Sequence, residues 1–156
     1  MRIAVLDDYA LASQRLADWS GLGDVTVFSD TLTGPALADR LQSFDAVCLM
    51  RERTPMGADL IAQLPHLRLI VTSGPKNASI DLAAARAAGI TVCGTQSRKT
   101  TTSELTTLMM LALNRHLMPE VATLTAGGWQ SGLGRDMAGL TLGLIGLGNI
   151  GAQMEV

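Results

Sequence analysis

Between Arg2 and Cys93, short apolar runs alternate with segments of helical spacing, a rhythm that few folds accommodate. Arg2 to Leu6, Val25 to Phe28, Ala46 to Met50, Leu67 to Val71 and Ile90 to Cys93 read as strands. Leu11 to Trp19, Pro35 to Leu41, Ala58 to Leu64 and Asp81 to Ala88 read as helices. Pro35 stands at a permitted early position, and Gly89 is the usual glycine stop. Runs this apolar, with helices between them, predict a parallel sheet covered on both faces, an α/β domain of flavodoxin-like layout.

After Gly94 the texture changes. Gly94 to Ser103 is polar and turn-rich, so a boundary is expected near residue 97, dividing the chain into 1–97 and 98–156. Thr101-x-x-Glu104 has the form of a capping box that opens a helix through Leu117, stopped by Pro119. Leu105, Leu108, Met109, Ala112 and Leu113 would form its broad apolar face. Farther on, Leu140 to Ile145 has the pattern of a strand buried on both faces and runs into Gly146-x-Gly148-x-x-Gly151. In a dinucleotide-binding turn the first glycine makes the tight bend. The second lets the backbone approach a diphosphate, and the third lets helix pack on strand. A helix beginning near Asn149 would aim its N–H groups at the phosphates. The acidic residue that holds the ribose falls about twenty residues beyond such a turn, past the end of this sequence.

Charge narrows the partners. A net charge of −2 gives no basic footprint for nucleic acid or an anionic membrane. No apolar run approaches the length of a membrane span, and Asp7-Asp8 interrupts the N-terminal run too early for a signal peptide, so a cytoplasmic protein is expected. With 47% hydrophobic residues the chain has the material for a core. Cys48 and Cys93, both in strand-like runs, read as small buried hydrophobes, with no metal site. His66 and His116 read as surface or capping residues, and Asp7-Asp8, at a strand end where it could line a cleft, reads rather as a solvated pair introducing a helix. Arg51-Glu52-Arg53 suits a solvated loop as well as an anion site.

Several segments, in order and spacing, make the whole chain resemble the D-isomer-specific 2-hydroxyacid dehydrogenases. They are Leu67 to Gly74, Asn77 to Ala85, Gly89 to Val92, Thr102 to Leu105, Gly128-Trp129 and Leu140 to Gly151. The resemblance implies a flavodoxin-like substrate domain at 1–97, then the opening of a Rossmann nucleotide-binding domain at 98–156. It implies hydride exchange between a 2-keto acid and its D-2-hydroxy acid with NAD or NADP, NAD being the family's habit. A homodimer through the nucleotide domains is implied as well. By the same resemblance Ser73, Gly74 and Pro75 lie in the cleft, where backbone N–H groups meet the substrate carboxylate. Arg51 reaches the acid, Thr102 lies near the nicotinamide, and Gly146, Gly148, Asn149, Ile150 and Gly151 hold the diphosphate. The same scaffold also serves NAD-sensing corepressors, the alternative reading. A phosphoacceptor domain would need an aspartate ending the third strand, where Met50-Arg51 stands.

Two departures stand out. Lys76 occupies a place usually held by glycine and contributes a charge to the cleft loop, while Pro75 has no N–H to donate. The family's catalytic Arg, Glu and His fall beyond position 156. The sequence thus reads as a truncated form of a longer enzyme, inactive alone, with no catalytic residue of its own. Leaving Leu140, Leu142, Leu144, Ile145, Leu147 and Ile150 uncovered would forfeit on the order of 10 kcal/mol. Another copy, further chain or disorder is expected to answer for them.

Overall fold

The computed structural model describes residues 1–98 and 100–154. The chain divides into two compact units, Met1–Ser97 and Arg98–Val156.

The first unit is built on strands β1 (Arg2–Val5), β2 (Asp24–Val27), β3 (Ala46–Leu49), β4 (Leu69–Thr72) and β5 (Thr91–Gly94). They pair in the order β2-β1-β3-β4-β5, all parallel, the doubly wound flavodoxin-like arrangement. Ile3 pairs with Val25 on one side and Ala46 on the other, and Ile70 with Val47 and Val92. Such central residues are covered on both faces, which is why the runs carry no alternation. Between strands lie α1 (Ser13–Leu16), α2 (Gly34–Leu41), α3 (Ala58–Ile61) and α4 (Leu82–Ala87). Leu37 and Leu41 of α2, Ile61 of α3 and Ala85 of α4 join Leu6, Val47, Leu49, Met56 and Ile70 in one core. The carboxylate of Asp81 caps α4 by accepting the Ala84 N–H at 2.9 Å. Gly89, at φ 72, closes that helix. Arg40 makes a two-pronged pair with Asp30 and lies over the Phe28 ring, 4.3 Å from its centroid.

Two expectations for this unit fail. The helix anticipated over Leu11 to Trp19 shrinks to Ser13–Leu16 and buries nothing. Leu11 is in the left-handed region at φ 47, Ala17 is already extended, and the Trp19 indole N–H donates to the Ser13 carbonyl at 3.0 Å. Asp7 and Asp8 are not solvated, being 1% and 3% exposed. Asp8 does introduce the helix, accepting the N–H groups of Ala12 at 3.0 Å and Ser13 at 2.8 Å. Those bonds, Ser13 first, hold its carboxyl below the ordinary range. Of the two thiols, Cys48 is half-buried and pushed up by that burial, whereas Cys93 is exposed on edge strand β5.

The second unit carries α5 (Thr100–Asn114), α6 (Leu117–Thr125) and a 3-10 turn at Gly151–Gln153. Its helix boundaries differ from those expected. Helix α5 opens at Thr100, so Thr101 lies inside it and cannot be its cap. It ends at Asn114, whose carbonyl is taken by the Arg135 N–H at 2.8 Å, and His116 turns the chain at φ 53. Pro119 stops nothing, because it sits in the first turn of α6, where an N–H has no helical partner. The Glu120 carboxylate gathers the following loop, accepting from Ser131 N–H at 3.0 Å and Gly132 N–H at 2.8 Å.

The strand expected at Leu140 to Ile145 is absent as well. A strand exists only by hydrogen-bonding to a neighbour, and the described residues of this unit offer none. Leu140, Leu142, Ile145, Leu147 and Ile150 are exposed. Part of the segment lines an open groove of about 760 Å³ with Thr107, Met110, Met137 and Met154. Among the described residues, no helix is long and apolar enough to cross a membrane.

Candidate functional site

In a sheet of this order the crevice forms at the carboxyl ends of the strands, where the order reverses on either side of β1. Two non-glycine residues in the left-handed region sit there, Asp7 (φ 57) after β1 and Arg51 (φ 56) after β3. Each costs about 1–2 kcal/mol relative to an ordinary conformation, so each needs surroundings that impose it.

For Asp7 the surroundings are a closed polar network. Its carboxylate accepts the hydroxyls of Thr31 and Thr54, both at 2.6 Å, and its carbonyl accepts Arg53 Nη1 at 2.7 Å. The Arg53 guanidinium lies over the Tyr9 ring, 4.6 Å from its centroid, and the Tyr9 hydroxyl pairs with Thr31 Oγ1. Loops after β1 and β3 are thereby fixed to one another.

Arg51 is tied to the loop after β4 instead. Its N–H donates to Ser73 Oγ at 3.0 Å, and its carbonyl accepts Asn77 Nδ2 at 2.6 Å. Its guanidinium lies across Gly74, where any Cβ would collide with Nη1, and Gly74 also holds φ +102. Arg51, Ser73 and Gly74 are therefore brought together, with Pro75 and Lys76 exposed just beyond. The backbone donors there are unevenly available. Ser73 N–H donates to the Leu49 carbonyl at 2.9 Å, Gly74 N–H to Thr95 Oγ1 at 2.8 Å, and Pro75 has none. Among the described residues, no hydrogen bond occupies the N–H groups of Lys76 and Asn77. Neither Arg51 nor Lys76 meets a carboxylate as an ion pair within that set.

Asn77, Gly94, Thr95 and Thr54 belong to this site and escaped the reading of the sequence. A Cβ on Gly94 would lie 2.7 Å from the Pro75 carbonyl oxygen, so β5 must end in glycine for the loop to cross it. Asn77 had a visible signal. Asn77-Ala78-Ser79 forms an Asx turn, Ser79 N–H donating to Asn77 Oδ1 at 2.9 Å.

In the second unit, Gly146 takes φ +92, and a Cβ on Gly151 would strike the Gly146 carbonyl oxygen, so the bend and the close packing both require glycine. Gly148 faces open space. Among the described residues, the N–H groups of Gly148, Asn149, Ile150 and Gly151 carry no internal hydrogen bond. The helix expected from Asn149 amounts to the single 3-10 turn Gly151–Gln153. Gln153 Oε1 accepts from Ser103 Oγ at 3.0 Å, which sets the turn beside the start of α5, where Thr102 is exposed. The glycine geometry and the open donors fit a diphosphate.

Residues 3–144 match the family model described as D-isomer specific 2-hydroxyacid dehydrogenase, catalytic domain. The chain is 34% identical over 136 residues to the glycerate dehydrogenase of Methylorubrum extorquens, covering 81% of this chain and 43% of that protein. It is 34% identical over 111 residues to the hydroxypyruvate reductase of Thermotoga maritima, covering 69% of this chain and 36% of that one. The crystal structure of a phosphoglycerate oxidoreductase from Vibrio cholerae superposes on it with a TM-score of 0.89 at 40% identity, over 99% of this chain and 51% of that one. The chain thus spans about half the length of such relatives, or less. On this match the chain belongs to the D-isomer-specific 2-hydroxyacid dehydrogenase family of oxidoreductases.

Proposed function

We propose that residues 1–97 form the substrate side, and 98–156 the start of the nucleotide side, of an enzyme that reduces a 2-keto acid to a D-2-hydroxy acid with NADH or NADPH. The observation that carries this reading is the grouping of Arg51 with two unengaged backbone N–H groups at the carboxyl edge of the sheet. A guanidinium presents a planar fork that matches a carboxylate, and neighbouring amides add directional donors. The amide grip thus moves from Ser73 and Gly74 to Lys76 and Asn77. Ser73 and Gly74 shape the site through Arg51, Pro75 bends the loop, and Lys76 adds positive charge. The names of the relatives support a small, anionic 2-hydroxy acid as substrate.

Gly146, Gly148, Asn149, Ile150 and Gly151 are assigned to the diphosphate of the dinucleotide and Thr102 to the vicinity of its nicotinamide, with NAD preferred. When bound, the dinucleotide supplies the hydride. This chain's own residues bind the acid, orient its carboxylate and offer backbone donors to the phosphates. His66 and His116 are both exposed, and neither is assigned proton transfer. Turnover is therefore assigned to a longer, cytoplasmic, dimeric protein, and the 156 residues alone are expected to be inactive. NADH oxidation in the presence of a panel of 2-keto acids tests this, with the complete gene product and the 156-residue chain assayed side by side. Turnover by the first and none by the second is expected. A complete product that binds NADH yet reduces no 2-keto acid would contradict the reading.

A further inference from the structure

We infer that Asn77 is a positioning residue, whose side-chain amide sets the orientation of Arg51 and through it the affinity of the site for the substrate carboxylate. The inference rests on the anion-site reading above and adds to it a residue that need not touch the acid through its side chain.

Every hydrogen-bonding position of the Asn77 side chain that the geometry can use is engaged. Nδ2 donates to the Arg51 carbonyl at 2.6 Å and to Thr72 Oγ1 at 3.0 Å. Oδ1 accepts from Ser79 N–H at 2.9 Å and Ser79 Oγ at 2.6 Å. The orientation of the amide follows from its partners, since a backbone carbonyl can only accept and a backbone N–H can only donate. Arg51 is left-handed without being glycine, a state that persists only where it is over-determined. Ser73 Oγ holds its N–H and Asn77 Nδ2 its carbonyl, so two side chains from one loop fix both peptide groups flanking Arg51. The direction in which the side chain leaves the backbone is set by that conformation. It carries the guanidinium across Gly74, two residues from the unengaged Lys76 amide.

The chemistry gives a sharp probe. Asn77→Asp keeps the shape of the side chain but sets a carboxylate oxygen against the Arg51 carbonyl, acceptor against acceptor. Protonation of the introduced carboxyl makes it a donor again and restores the bond. A role in packing alone would show no such recovery.

The experiment titrates the isotope-labelled 156-residue chain with oxalate, an unreactive anion carrying the carboxylate–carbonyl geometry of a 2-keto acid. The Lys76 amide and Arg51 Nε–H signals are followed by NMR. The wild-type chain is expected to bind, with both signals shifting. In Asn77→Asp at about pH 7, affinity is expected to fall about tenfold or more. The Arg51 backbone shifts should leave the left-handed range, and wild-type-relative affinity should recover as pH falls through about 4. Ser73→Ala, which releases the other peptide group, is expected to weaken binding in the same direction without the pH-dependent recovery. Wild-type affinity in Asn77→Asp, or an Arg51 backbone that stays left-handed in it, overturns the role of Asn77 while leaving the anion site standing. No oxalate response from the wild-type chain overturns the anion site itself, and the inference with it.

Discussion

Two segments of this chain read almost alike, Leu69-Ile-Val-Thr72 and Leu140-Thr-Leu-Gly-Leu-Ile145, yet only the first is a strand. Strand β4 lies between β3 and β5, hydrogen-bonded on both edges, and Ile70 at its centre is 0% exposed. The later segment has no neighbouring strand among the described residues of its unit, and Ile145 is fully exposed. Apolar sequence records where a residue is meant to be buried, but the partner strand decides whether it is. In the first unit every apolar run read as a strand has at least one parallel neighbour. Among its described residues the second unit buries only Ser103 and Met154.

The contrast breaks most readily at the core. Ile70→Ala removes a wholly buried side chain and should cost about 2–5 kcal/mol in urea denaturation. Ile145→Ala should fall within about 0.5 kcal/mol, and comparable losses at the two positions would refute the distinction. Next comes the buried network at the end of β1. Thr54→Val strips one donor from the Asp7 carboxylate and should cost about 1.5–3 kcal/mol, read from the same melts. Gly74→Ala should cost about 1–2 kcal/mol from its left-handed backbone. It should also displace the Arg51 guanidinium and so weaken oxalate binding more than it lowers stability.

The smallest effect is electrostatic. Asp8 is held below its ordinary range chiefly by the Ser13 N–H, then by that of Ala12. Its contribution is thus fully present above the unfolded carboxyl value of about 3.9 and is lost as pH falls through the lower folded value. Amide exchange at Ala12 and Ser13 should quicken over that acid range, and Asp8→Asn should abolish the dependence.

What was legible in the sequence followed from local rules. The order of strands and helices, the stop at Gly89 and the helix start at Asp81 each depend on nearby residues and took the expected form, although the first helix is shorter than its spacing suggested. The glycine spacing likewise announced the bend at Gly146, whereas the helix-on-strand packing expected of Gly151 is replaced by contact with the Gly146 carbonyl, since neither the strand nor a full helix forms there. What escaped depended on distant partners. Asp7 looked like half of a solvated pair because Thr31 and Thr54, which bury it, lie far along the chain. Helix α5 ends early because Arg135 takes the Asn114 carbonyl, and no local signal announces that. The donors of the loop after β4 were hidden for the same reason. Gly74 looks open until Thr95, twenty-one residues later, occupies its N–H.

Amide hydrogen exchange on the intact 156-residue chain tests the central contrast most directly. Ala4, Val47 and Ile70 should exchange only through global opening of the first unit, while Thr141 to Ile145 exchange at nearly unprotected rates. Protection at Thr141 to Ile145 rivalling that of β4 would mean the segment is a paired strand after all, and the account of the second unit would be wrong.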